Sequence, residues 1–112
     1  MQSAIDYSLI QTVCDNDMAF MKEMLESIHQ TLPEYFGAYQ RGLLEKNSVV
    51  AKAECHKIKP LLAYLKQEDF YQQLHTLQSS IEGETLAPLL AEHAKHLESL
   101  LVDIQAKMKS LA

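Results

Sequence analysis

Little in this chain suits a sheet, a membrane or a nucleotide site. Only three of its 112 residues are glycine, and strand formers do not gather in alternating runs. Its long stretches are rich in Leu, Ala, Glu, Gln, Lys and Met, residues that favour helix, so the composition predicts an all-α protein. No apolar run nears the roughly 18 residues that cross a bilayer, and the N-terminus has no basic-then-apolar export pattern. A cytoplasmic protein without a membrane segment is expected. Cys14 and Cys55, in a chain without an export signal, are expected to be free thiols. Basic charge is short as well: 10 Lys and Arg against 15 Asp and Glu leave a net −5, without the basic stripe that nucleic-acid binding requires. There is no glycine-rich loop ending in Lys-Ser/Thr to cradle a nucleotide, and no acidic cluster after a strand to hold Mg²⁺. Without repeats or linkers, the chain reads as one domain spanning residues 1–112.

What is present is helical periodicity. A short helix is expected after Ser3, carrying Ile5, Leu9, Ile10 and Val13. A second, starting after Asp15 or Asn16 as N-cap, has an apolar series at 18, 21, 25, 28, 32, 35, 39 and 43, the steps of a packed bundle seam. Pro33 lies inside it, and because the seam continues in register a bend is expected rather than a stop. Asn47 and Ser48 close that helix and cap a third over about 49–65. Residues 66–69 connect to a fourth, marked by Phe70, Leu74, Leu77 and Ile81 and ended by Gly83. Thr85 caps a fifth, with Leu86, Leu90, His93, Leu97, Leu101, Ile104, Met108 and Leu111 on its seam. The expected architecture is an antiparallel up-and-down four-helix bundle with a short extra N-terminal helix, and its closed seam favours a monomer.

The residue that departs from pure packing is His56. At about 100° per residue, Ile58, Leu61, Leu62 and Leu65 cluster on one side of the third helix and His56 points roughly 170° from their mean. Lys52 and Lys59 share its outward face, and Ala63, two turns on, adds no bulk. A neutral imidazole is a nucleophile near pH 7, and its phosphoramidate remains a good donor. A lysine one turn away softens incoming charge, and a hydrogen bond to Nδ1 would leave Nε2 free. Pro60, four residues after His56, cannot donate to its carbonyl, at a cost of about 3 kcal/mol in an ordinary helix. It either tilts the histidine outward or is drift that bundle packing tolerates.

The run His56-Lys57-Ile58-Lys59, on the third helix of a small acidic bundle with a leading short helix, resembles the phosphoacceptor motif of histidine-containing phosphotransfer domains of bacterial phosphorelays. The resemblance spans nearly the whole chain. It implies that His56 accepts the phosphoryl group, Lys59 is the cation near it, Ala63 leaves room for it, and Gln78 on the fourth helix orients the imidazole. Partners would be response regulator receiver domains or a hybrid sensor histidine kinase. The chain would hold no cofactor, and Mg²⁺ and the aspartyl phosphate would come from the receiver. It would be a carrier and not an enzyme. Pro60 and Lys66 stand where many members carry glycine, Lys66 leaving the turn before Asp69 without an easy left-handed residue. A phosphate-incompetent module that binds a receiver or kinase is the alternative, and a metal-binding bundle a third reading.

Other residues carry smaller expectations. His93 reads as a partly buried, hydrogen-bonded seam imidazole, and His75 and His96 as surface residues. Glu26 and His29 have the spacing of di-iron bundles but no second such pair follows. Phe20 and Met24 lie off the main seam. Phe20 is expected to pack, and Met24, with Lys52 and Ala63, is a candidate docking position for a receiver. Glu54 falls near the apolar side, leaving open a rotated helix or a partnered carboxylate.

Overall fold

A computed structural model describes residues 5–78 and 86–111. The described residues form five helices: α1 (Ser8–Val13), α2 (Met18–Leu44), α3 (Ser48–Tyr64), α4 (Glu68–Gln78) and α5 (Leu86–Ser110). Joined by short turns, α2 packs on α3 and α3 on α4 in antiparallel pairs, and α5 closes the bundle against α2. The four long helices with a short helix in front match the expected architecture. No helix among the described residues is long and apolar enough to cross a membrane.

The seam of α2 buries Met21, Leu25, Ile28, Leu32, Phe36, Tyr39, Gly42 and Leu43, and the helix runs through Pro33 without ending. Two of its expected seam positions differ. Met18 is exposed, because it occupies the first turn, and Phe36 rather than Tyr35 takes the central aromatic place. On α3 the core face is Ala51, Cys55, Ile58 and Leu62. On α5, Leu100 is buried where the spacing predicted Leu101, which is only half-buried. Phe20 is 51% exposed, so the expectation that it packs is overturned: α1 is too short to cover that side of α2. Both cysteines are free and buried.

The turns differ most from expectation. α1 begins at Ser8, not after Ser3, with Tyr7 preceding it. The N-cap of α2 is Asp17, whose carboxylate accepts from Phe20 N–H at 3.1 Å, and not Asp15 or Asn16. Those two residues have positive φ, 52° and 61°. They belong to the end of α1. Asn16 N–H reaches Gln11 C=O at 2.9 Å and Asp15 N–H reaches Thr12 C=O at 3.1 Å, the bond pair that closes a helix through a left-handed residue. The same closure recurs twice: Asn47 to Gly42 and Lys46 to Leu43 after α2, then Gln67 to Leu62 and Lys66 to Ala63 after α3. Lys46 and Lys66 take φ of 54° and 58°. Lys66 therefore adopts the left-handed conformation itself, and the turn that lacks a glycine keeps its geometry. Asn47 caps α3 through Val50 N–H at 3.2 Å, as expected. Ser3 itself, and the expected Ile81, Gly83 and Thr85, lie outside the described residues.

Long-range polar ties cross the bundle. Tyr39 Oη donates to Leu74 C=O at 2.6 Å, joining α2 to α4. Gln40 Nε2 donates to Leu90 C=O at 2.9 Å, joining α2 to α5. Tyr7 Oη donates to Asp103 Oδ1 at 2.5 Å, holding the leading segment on α5. Gly42 allows the closest helix approach: a Cβ there would stand 2.8 Å from Ala51 N and 3.1 Å from its Cα.

Candidate functional site

With Ala51, Cys55, Ile58 and Leu62 turned inward, helical geometry puts His56 outward, and its side chain is exposed. Lys52 and Lys59, one turn to either side, are exposed as well. A groove of about 530 Å³ runs between α3 and α4, lined by Val49, Lys52, Ala53, Cys55, His56 and Lys57 on one wall and Tyr71, His75 and Gln78 on the other. His56 and Gln78, 22 positions apart in sequence, thus share one groove.

Lys57 and Lys59 are each placed by a neighbour. Lys59 Nζ lies 5.7 Å from the centroid of the Tyr71 ring, and Lys57 Nζ lies 5.4 Å from that of Tyr35 while pairing with Glu54 Oε1 at 3.2 Å. That pair accounts for Glu54: the carboxylate is partnered and half-buried. Ala63 is half-buried two turns beyond His56. Met24 does not line the groove. It packs on the core, its Sδ 3.7 Å from Cys14 Sγ.

The groove holds a thiol beside the imidazole. Burial pushes Cys55 up to about 11, against the opposing pull of a hydrogen bond with Tyr71, so it remains protonated at neutral pH and is a poor nucleophile. Burial and contact with Cys55 in turn raise the Tyr71 phenol. The chemistry available on this surface is that of imidazole.

No family model matches the chain, and neither does any curated protein or solved structure. The residues themselves carry the functional argument.

Sequence reasoning missed two contributors to the groove, Tyr71 and His75. His75, read as a surface residue, is exposed but borders it, its ring stacked on Tyr71 with centroids 5.9 Å apart and its Nδ1 3.5 Å from Gln78 Nε2. The spacing of Tyr71, His75 and Gln78 at steps of four and three was the available signal, since it puts all three on one face of α4.

A second, larger groove of about 820 Å³ between α4 and α5 is bordered by Gln67, Phe70, Leu77, Leu89, His93 and His96 among others. His96, expected on the surface, instead stacks on Phe70 with centroids 3.9 Å apart and planes 2° from parallel, and its Nε2 lies 3.4 Å from Gln67 Oε1. His93 is buried as expected, 6% exposed, but its Nδ1 has no hydrogen-bond partner among the described residues. Burial lowers both imidazoles from their ordinary range. Among the described residues no three His, Cys, Asp or Glu side chains converge on a point that would hold a metal.

Proposed function

We propose that this protein is a phosphoryl carrier of the histidine phosphotransfer kind, taking its phosphoryl group from the aspartyl phosphate of a receiver domain and passing it to another. The observation that carries the reading is the setting of His56. It is an exposed imidazole with lysines one turn to either side, on the rim of a groove whose opposite wall presents an amide. In the transfer, a bare ring nitrogen of His56 attacks phosphorus. The N–P bond forms as the P–O bond to the receiver's aspartate breaks, the carboxylate leaves with the electron pair, and the ring gives up its other N–H proton to solvent. Such a reaction depends on positioning and on neutralising charge, which Lys52 and Lys59 supply.

The test mixes the protein with a phosphorylated receiver and follows labelled phosphate. Acid-labile, base-stable label on one histidine is expected, lost in His56→Gln and retained when any of the other four histidines is replaced. Lys59→Ala is expected to slow acceptance about fivefold, the rate equivalent of a partly screened charge pair of about 1 kcal/mol. Receiver binding without label identifies a phosphate-incompetent interaction module instead.

A further inference from the structure

Gln78 has one amide end engaged and the other not. Its Nε2 faces His75 Nδ1 at 3.5 Å, whereas its Oε1 is buried without a partner among the described residues. An amide offers an acceptor at one end and two donors at the other, so whichever end a neighbour holds dictates what the opposite end presents. A buried acceptor without a donor loses its hydration and gains nothing in return, which makes the Oε1 atom a standing demand for a donor hydrogen. Side chains lining the groove that carry an N–H or O–H to donate, His75 aside, are Lys52, Lys57 and His56 from α3 and Tyr71 from α4. Lys57 is committed to Glu54 and Tyr71 to Cys55. Lys52 lies one turn before His56 and is exposed.

We propose that His75 is a positioning residue that sets which end of the Gln78 amide the groove presents to His56. This rests on the carrier reading above. With its Nδ1 bare, His75 accepts from the Gln78 amide nitrogen and turns Oε1 toward the groove. There Oε1 accepts from His56 Nδ1–H, the tautomer whose Nε2 lone pair is free to attack phosphorus. The other His75 tautomer, with its hydrogen on Nδ1, removes that acceptor. The amide then turns over, its NH₂ faces His56, and the ring is held with Nδ1 bare and the proton on Nε2, where attack is blocked. His75 would thereby set the tautomer of His56 through a side chain that never touches phosphorus.

The ring tautomer of His56, read by long-range ¹H–¹⁵N correlation at pH 8 in the unphosphorylated protein, tests this directly. His75→Phe, which offers no acceptor, is expected to lower the ratio of Nδ1–H to Nε2–H forms about fivefold, the equilibrium equivalent of one net hydrogen bond. His75→Gln, which keeps an acceptor, is expected to hold the ratio. An unchanged ratio in His75→Phe, or an equal loss in His75→Gln, overturns the assignment. His75 is exposed, so neither change threatens folding. The tautomer measurement needs no phosphate. If no receiver labels the protein, the carrier reading fails while the tautomer result still stands, and if labelling occurs with the ratio unchanged, only the role of His75 fails.

Discussion

Single residues decide the sharpest features of this bundle. Gly42 sits where the backbones of α2 and α3 meet, and a methyl group there meets Ala51 main-chain atoms that cannot rotate away. Gly42→Ala is therefore expected to destabilise the protein by about 1–3 kcal/mol, despite the better helix propensity of alanine, as read from the midpoint of urea unfolding. Lys46 and Lys66 act in the opposite sense. Each holds a left-handed conformation that disfavours a side chain, and each closes a helix. Lys66→Gly and Lys46→Gly are each expected to stabilise by about 0.5–1 kcal/mol, the strain relieved less the extra freedom glycine gains in the unfolded chain. The glycine rule for helix ends could not find these turns in the sequence. The bonds from Asn16, Asn47 and Gln67 back to the helix fix the left-handed residue whatever its side chain.

At the scale of the element, the helices were legible because their seams are. Five helices and the Asn47 cap follow from spacing, and so does the passage of α2 through Pro33. Less legible was what lies beside each seam, where steps of three and four leave a neighbouring position equally eligible, as with Phe36 for Tyr35 and Leu100 for Leu101. α3 carries its own cost in Pro60, exposed and inside the helix, which leaves the carbonyl of His56 without its usual N–H. Pro60→Ala is expected to stabilise α3 by on the order of 1–2 kcal/mol, the restored bond less the lost stiffness of the unfolded chain, with the His56 label retained if the proline is only tolerated. The groove was half legible: the outward direction of His56 and the presence of Gln78 could be read, while His75 could not be distinguished from a solvated histidine until α4 was set against α3.

For the whole molecule, pH acts through the seam between α4 and α5. His93 and His96 are held neutral by burial around Phe70, and the carboxylates facing that groove are Glu68 and Asp69 on α4 and Glu92 on α5, with Lys66 opposing them. Above the ordinary imidazole range, about 6.5, both states are unprotonated and these groups add no pH dependence. Below it the unfolded chain takes up protons that the folded one resists, so stability falls as pH is lowered. Thermal unfolding between pH 8 and 5 should show a falling midpoint, and His93→Leu, which also removes the unpartnered Nδ1, should flatten that fall. A slope unchanged in His93→Leu would place the acid sensitivity elsewhere.

The contact at Gly42 reaches further than its own packing. Ala51 lies five residues before His56, about 7.5 Å along α3 at the usual helical rise, so the crossing is a fulcrum and the imidazole rides on the lever arm beyond it. A wedge at the fulcrum would swing that arm relative to the α4 wall, and an inherited change at position 42 would detune the two halves of the groove without altering one atom that lines it.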